Sequence, residues 1–195
     1  MRHLLNHKRS EDTMVNTNPQ SHYVGPNVVQ EVVTRTLSIL VDNEPGVLAR
    51  VIGLFSGRGY NIDSLTVTET EHERHVSRIT IVTRGTPAVI QQIKHQLERL
   101  IPVHRVRDLT DEGVSLEREL ALVKVTGRGE KRNEALRLAE VFRANVVDTS
   151  LEHFVFEITG KASKIETFLN LMGEVGLVEV SRTGIAAIGR GAASL

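Results

Sequence analysis

Two stretches of the chain repeat one pattern of hydrophobic and polar positions. Between residues 34 and 41, Leu37, Ile39 and Val41 share one face, the period-two signature of a strand. A turn-like Asp42-Asn43-Glu44-Pro45-Gly46 follows, and then Val47, Leu48, Val51, Ile52 and Phe55 recur at helical spacing. Gly57 and Gly59 end that helix, since glycine most readily takes the left-handed turn at a C-terminus. Residues 60–70 and 75–84 read as two strands joined by the polar hairpin Glu71-His72-Glu73-Arg74. Apolar parity changes between Ile62 and Leu65, which predicts a bulge near Asp63 and Ser64. Thr86 and Pro87 read as the N-cap and first residue of a second helix, with Ile90, Ile93, Leu97 and Leu100 as its stripe. Residues 103–109 close the unit as a strand, so residues 34–110 have the order βαββαβ.

The second half repeats that order. Residues 119–126 read as a strand and 131–143 as a helix with Leu136, Ala139 and Phe142 inward. Residues 145–149 and 153–159 form a hairpin, with Phe154, Phe156 and Ile158 on one face. Ser163-Lys164-Ile165-Glu166 fits a capping box ahead of Phe168, Leu169 and Met172, and the last strand begins at 177–181. Two such units in tandem predict an α+β fold of two ferredoxin-like domains, 34–110 and 114–195, divided at Asp111-Glu112-Gly113. Residues 1–33 carry Pro19 and Pro26 among Asn, Ser and Thr without either period, and read as a disordered arm. Its Arg2, Lys8 and Arg9 are followed at once by Glu11 and Asp12, which favours a solvated tail over a targeting signal. Met14 offers an alternative start within the arm.

Charge narrows the range of partners. The 24 basic and 24 acidic side chains cancel, and they also cancel within 1–33, 34–112 and 113–195 separately. No segment therefore supplies the positive field that non-specific nucleic-acid or anionic-membrane binding requires. With no cysteine, disulfide scaffolds, thiolate metal sites and cysteine nucleophiles are excluded. Apolar runs fall far short of the ~20 residues that span a bilayer. Together these features predict a soluble cytoplasmic chain.

Catalytic motifs are absent from the sequence. There is no nucleophile elbow and no Walker A loop. Gly57-Arg58-Gly59, Gly127-Arg128-Gly129 and Gly189-Arg190-Gly191 lack the third glycine of a dinucleotide loop. His72-Glu73-Arg74-His75 is one residue short of the zinc-binding helix motif and falls in a hairpin. Glu69, Glu71 and Glu73 read as charges that guard a strand edge. RNA-recognition modules share the βαββαβ order, but Phe154 and Phe156 are the one aromatic pair on a strand, and core packing is the favoured reading.

One turn does suggest a ligand. Asp42-Asn43-Glu44-Pro45-Gly46-Val47-Leu48 leads a strand into a helix whose first N–H groups lack intrahelical partners. Such an end attracts a carboxylate, Gly46 lets a ligand approach the backbone, and Asn43 offers a carbonyl to an ammonium. These groups suit a zwitterionic amino acid. A plain helix start with an Asx cap and Pro45 near its first position explains the same residues without a ligand.

The run from Leu37 to Leu48 resembles the opening of an ACT domain, the amino-acid-sensing ferredoxin-like module. The continuation Arg50-Val51-Ile52-Gly53-Leu54-Phe55-Ser56-Gly57-Arg58-Gly59-Tyr60-Asn61-Ile62-Asp63-Ser64-Leu65-Thr66-Val67 is similar to the regulatory small subunits of acetohydroxyacid synthase, also called acetolactate synthase. The similarity extends through Leu122-Val123-Lys124-Val125 to Arg182-Thr183-Gly184 and leaves out only the arm. It implies a non-catalytic chain that activates a separate catalytic subunit and confers feedback inhibition by valine. Thiamine diphosphate, magnesium and FAD are then expected on that partner and none on this chain. The effector contacts it implies are Asn43, Gly46, Val47 and Leu48, with Asn61 and Ile62 from the second strand, meeting across an ACT homodimer. Pro45 has no N–H to offer, and the second repeat has Gly127-Arg128-Gly129-Glu130 in place of the turn, so partner contact is its expected role. A free-standing ACT sensor of another enzyme or repressor is the alternative. Valine, leucine and isoleucine differ by about one methylene, worth ~1–3 kcal/mol, and the sequence does not choose among them.

Overall fold

The computed structural model describes residues 31–71, 75–111 and 115–192. The arm before residue 31, the hairpin tip His72-Glu73-Arg74 and the divide at Glu112-Gly113 lie outside them. The first half runs β1 (Val33–Asp42), α1 (Val47–Arg58), β2 (Ser64–Glu71), β3 (Val76–Gly85), α2 (Pro87–Glu98) and β4 (Val103–Asp108). The second runs β5 (Ser115–Thr126), α3 (Glu130–Phe142), β6 (Asn145–Thr149), β7 (His153–Gly160), α4 (Ala162–Val175), β8 (Leu177–Arg182) and β9 (Ala186–Gly189). Strand orders are β2-β3-β1-β4 and β6-β7-β5-β8, all antiparallel, so the halves are two tandem ferredoxin-like units.

Each sheet buries one face under its own two helices. In the first half Leu37, Ile39, Val41, Ile79 and Ile81 meet Val51, Phe55, Ile90, Ile93 and Leu97. In the second, Val123, Val125, Phe156 and Ile158 meet Ile165, Phe168 and Met172. Phe154 and Phe156 belong to this core, 6% and 0% exposed, so they are not a stacking platform on an open sheet face. At 0% exposure a Leu37→Ala or Ile158→Ala change removes ~2–5 kcal/mol.

Four local expectations change. Thr86 caps α2 through the Val89 N–H, as its position predicts. Ser163, however, is not the cap of α4: that helix starts at Ala162, one residue ahead of it, with Lys161 at the cap and no side-chain bond there. Helix α3 turns Ala135, Leu138 and Ala139 inward and leaves Leu136 exposed at 39%. Strand β2 begins at Ser64, because the chain from Gly59 to Tyr60 closes α1: Gly59 N–H donates to Ser56 and Tyr60 N–H to Phe55. The parity change near Ile62 therefore marks a loop joining a strand, and the irregular register lies between Glu69 and Glu71.

The halves are joined by a ribbon. The first four residues of β5 pair with β9, a strand beyond the expected last one, and only then does β5 enter its own sheet. The ribbon meets the polar face of the first sheet, where Thr36 donates to Glu117 at 2.7 Å. Just before β9 the Ile185 N–H donates to Ser64 Oγ at 2.8 Å, and Thr66 Oγ1 donates to the Ile185 carbonyl. Gly184 has φ +81, and a Cβ there would lie 2.8 Å from Ser64 Oγ, so glycine alone fits both the backbone and the contact.

Beside the ribbon, Arg182 grips Glu119 with two bonds of 2.7 Å and also bonds Glu166 of α4. The Glu119 hydrogen bonds raise the Arg182 guanidinium above its usual value, against a lesser opposing effect of burial. The Glu119 side chain is only 4% exposed, so removing Arg182 strands a buried carboxylate. Arg182→Met should cost about 2 kcal/mol in urea denaturation, after allowing for the partial exposure of Arg182. Replacing both, Glu119→Leu with Arg182→Met, should recover more than half of that loss; a single variant as stable as the wild type contradicts this reading.

Candidate functional site

The first candidate segment is held at the exit of β1. Asp42 N–H donates to the Pro102 carbonyl and Asn43 N–H to His75, at 2.9 and 2.6 Å. The Asp42 carboxylate is engaged by His104 Nε2 at 2.6 Å. Glu44 to Val47 then forms a turn, with Val47 N–H donating to the Glu44 carbonyl at 3.3 Å. Its third residue, Gly46, has φ 87 and ψ −8, the values a type II turn requires there.

Gly46 is itself the N-cap of α1, with no side-chain capping bond, so the expected Asx cap is not made. No acidic residue lies in the first turn, and nothing stands within 4 Å of a Cβ built on Gly46. Arg50 N–H closes the first helical bond onto Gly46, which leaves the N–H groups of Gly46, Leu48 and Ala49 unpaired among the described residues. Three unpaired donors at the positive end of a helix can hold a carboxylate. Ala49 is a donor that the sequence reading omitted; counting orphan amides from a cap at Gly46 would have found it. Val47, by contrast, turns its N–H back on the turn and buries its side chain at 3% exposure.

The second segment, Asn61 and Ile62, belongs to the loop between α1 and β2 and not to a strand. Ile62 packs partly into the core. The Asn61 carbonyl accepts from Thr83 Oγ1 at 2.6 Å, and its side-chain amide donates to Asp63 at 2.5 Å. Asp63 in turn receives Arg84 at 2.5 and 2.9 Å.

These two segments do not meet within one chain. Helix α1 has 12 residues between them, a span of ~18 Å. Along the other side, the first segment lies beside His75, just before β3, and the second beside Val82, ~23 Å further along. Each end of the unit thus presents half of the predicted set. Between the halves, α1 exposes Leu48 and Ile52 at 37% and 36%, and Val67 on the edge strand β2 is 44% exposed.

The second repeat offers no equal to the first turn. Helix α3 starts after Gly129 with Glu130 in its first turn, a carboxylate where an anionic ligand end would have to lie. Among the described residues no three His, Asp or Glu side chains are grouped to hold a metal ion, and no helix is long and apolar enough to cross a membrane.

Two family models match this chain. Residues 37–105 match the AHAS small subunit-like ACT domain, and residues 118–191 match the family described as the small subunit of acetolactate synthase. The probable acetolactate synthase small subunit of Archaeoglobus fulgidus is 46% identical over 156 residues, which is 80% of this chain and 96% of that one. The isozyme 3 small subunit of Escherichia coli (strain K12) is 43% identical over 158 residues, again 80% and 96% of the two chains. The crystal structure of the Thermotoga maritima acetolactate synthase small subunit superposes with a TM-score of 0.74 at 39% identity, over 83% of this chain and 99% of that one. This chain belongs to the acetolactate synthase small-subunit family, and its first half is an ACT domain.

Proposed function

We propose that this chain is the non-catalytic regulatory subunit of acetohydroxyacid synthase, activating the catalytic large subunit in the cytoplasm and making it sensitive to valine. The observation that carries the effector site is the placement of donors and acceptors at opposite ends of α1. Two copies related by a two-fold axis, joined along β2 and the exposed apolar side of α1, would bring the start of α1 in one to the Asn61 loop of the other. The valine carboxylate would then accept from the Gly46, Leu48 and Ala49 amides. Its ammonium would donate to the side-chain carbonyls of Asn43 and of Asn61 from the second copy, with Leu48 and Ile62 against the isopropyl group. Thiamine diphosphate, magnesium and FAD would lie on the large subunit, where the chemistry occurs.

A ligand lodged between two copies stabilises the form in which they are closed upon it, by RT ln(1 + [L]/Kd) for each site. Inhibition then follows if that form supports less activity in the large subunit than the open one. The purified chain alone should form no acetolactate from pyruvate. Mixed with its large subunit, it should raise the rate and introduce inhibition by valine. Turnover by the small subunit free of large subunit, or a mixture indifferent to both additions, overturns the proposal.

Gly46→Asp tests the carboxylate end. Space for the side chain exists, and Asp is among the few residues that tolerate positive φ, so the variant should fold at a cost of ~1 kcal/mol. It puts a negative charge where the ligand carboxylate would sit. Losing one or two charge-assisted bonds at ~1.5–3 kcal/mol each should raise the valine concentration for half inhibition ~10-fold to over 1,000-fold. A folded variant inhibited at the wild-type concentration places the site elsewhere.

A further inference from the structure

The loop Asn61–Asp63 is fastened to the end of β3 at Asn61 and at Asp63. Asp63 N–H donates to the Val82 carbonyl at 2.8 Å, and the fully buried Thr83 hydroxyl donates to the Asn61 carbonyl. Arg84 closes on the Asp63 carboxylate through Nε and Nη2, leaving the Asp63 side chain 20% exposed. Asp63 Oδ1 also takes the Asn61 side-chain N–H, so one carboxylate joins Arg84 to Asn61.

This arrangement fixes which way the Asn61 amide faces. An asparagine amide has a donor end and an acceptor end of nearly the same shape, and its neighbours decide which end points where. An ionised carboxylate only accepts, so the NH₂ of Asn61 must face Asp63 and the carbonyl oxygen is left for whatever approaches. A bidentate guanidinium holds the Asp63 carboxylate in place. From this we infer that Asp63 and Arg84 are positioning residues that make Asn61 a dedicated acceptor and so set the polarity of the effector site. The inference rests on the reading of Asn61 as an effector contact given above. It assigns the ammonium to the Asn61 end and the carboxylate to the start of α1, and it makes the site select against acids without an ammonium.

Neither residue touches the ligand in this account, so the test needs a readout that a looser fold would not reproduce. Calorimetry on the full-length chain would compare valine with the matching 2-oxo acid, whose oxygen can only accept. The wild type should bind valine at least ~10-fold more tightly than the oxo acid, since a mismatched acceptor leaves a polar pair unmade. Asp63→Asn gives Asn61 a neighbour that both donates and accepts, so its amide can reverse. The variant should lose valine affinity and gain on the oxo acid, reducing the ratio ~5-fold or more. Arg84→Gln should weaken valine ~3–10-fold, yet add almost nothing in an Asn61→Ala background, because it acts through Asn61.

A ratio unchanged in Asp63→Asn overturns the inference, as does an Arg84→Gln effect that persists in full without the Asn61 side chain. The exposed Arg84 tolerates substitution, so this second arm stands even if Asp63→Asn folds poorly. An Asn61→Ala variant that binds valine like the wild type would instead remove the underlying reading of the site, and the inference with it.

Discussion

Helix α1 is a rigid spacer, and its length governs which groups of the ACT domain can meet. Twelve residues set the open amides at Gly46 and the acceptor at Asn61 ~18 Å apart, too far for one free amino acid to bridge. The ends are fixed independently, by the Glu44–Val47 turn at one and by Thr83 and Arg84 at the other. The spacer also carries Leu48 and Ile52 on its exposed side, and the neighbouring strand β2 lies at the end of its sheet. An apolar patch beside an edge strand is a natural surface for a second copy. Sensing and self-association are in this account one property of the domain.

The second half is tied to the ACT domain close to the Asn61 loop. Ser64 follows Asp63 directly and bonds the Ile185 N–H, while Thr66 bonds the Ile185 carbonyl. Ile185 lies three residues from Arg182, whose pairing with Glu119 anchors β8 to β5. The run Arg182-Thr183-Gly184 has a physical role here. Arg182 pairs a buried carboxylate, Thr183 bonds Leu120, and Gly184 lets the chain pass Ser64.

Much of this was legible in the chain. Period-two and helical stripes mark both βαββαβ units, and alternation alone places Leu37, Ile39 and Val41 in the core. Three kinds of feature were not legible. Helix ends depend on backbone angles: the sequence allows an Asx cap ahead of Pro45 and a capping box at Ser163, but the chain uses Gly46 and Lys161. Residues that finish a helix look like a strand when apolar, as Tyr60 and Ile62 do, because the sequence does not reveal that Tyr60 turns back on Phe55. Contacts between distant segments carry no local pattern, which hides the β9 ribbon and the join of Arg84 to Asn61 through Asp63. The resemblance selected Asn61 but gave no reason for the orientation of its amide.

The claim that the site is shared between two copies is tested most directly by complementation. Gly46→Asp spoils the carboxylate end and Asn61→Ala the ammonium end, and each variant alone should bind valine weakly. Co-refolded, the two should form mixed dimers in which one site carries both lesions and the other neither. Random pairing then restores tight binding at roughly a quarter of the wild-type number of sites. Calorimetry of the mixture reads that stoichiometry. A restored fraction near this value supports a site built from both chains. A mixture with no tight sites, from variants shown to exchange partners, contradicts it.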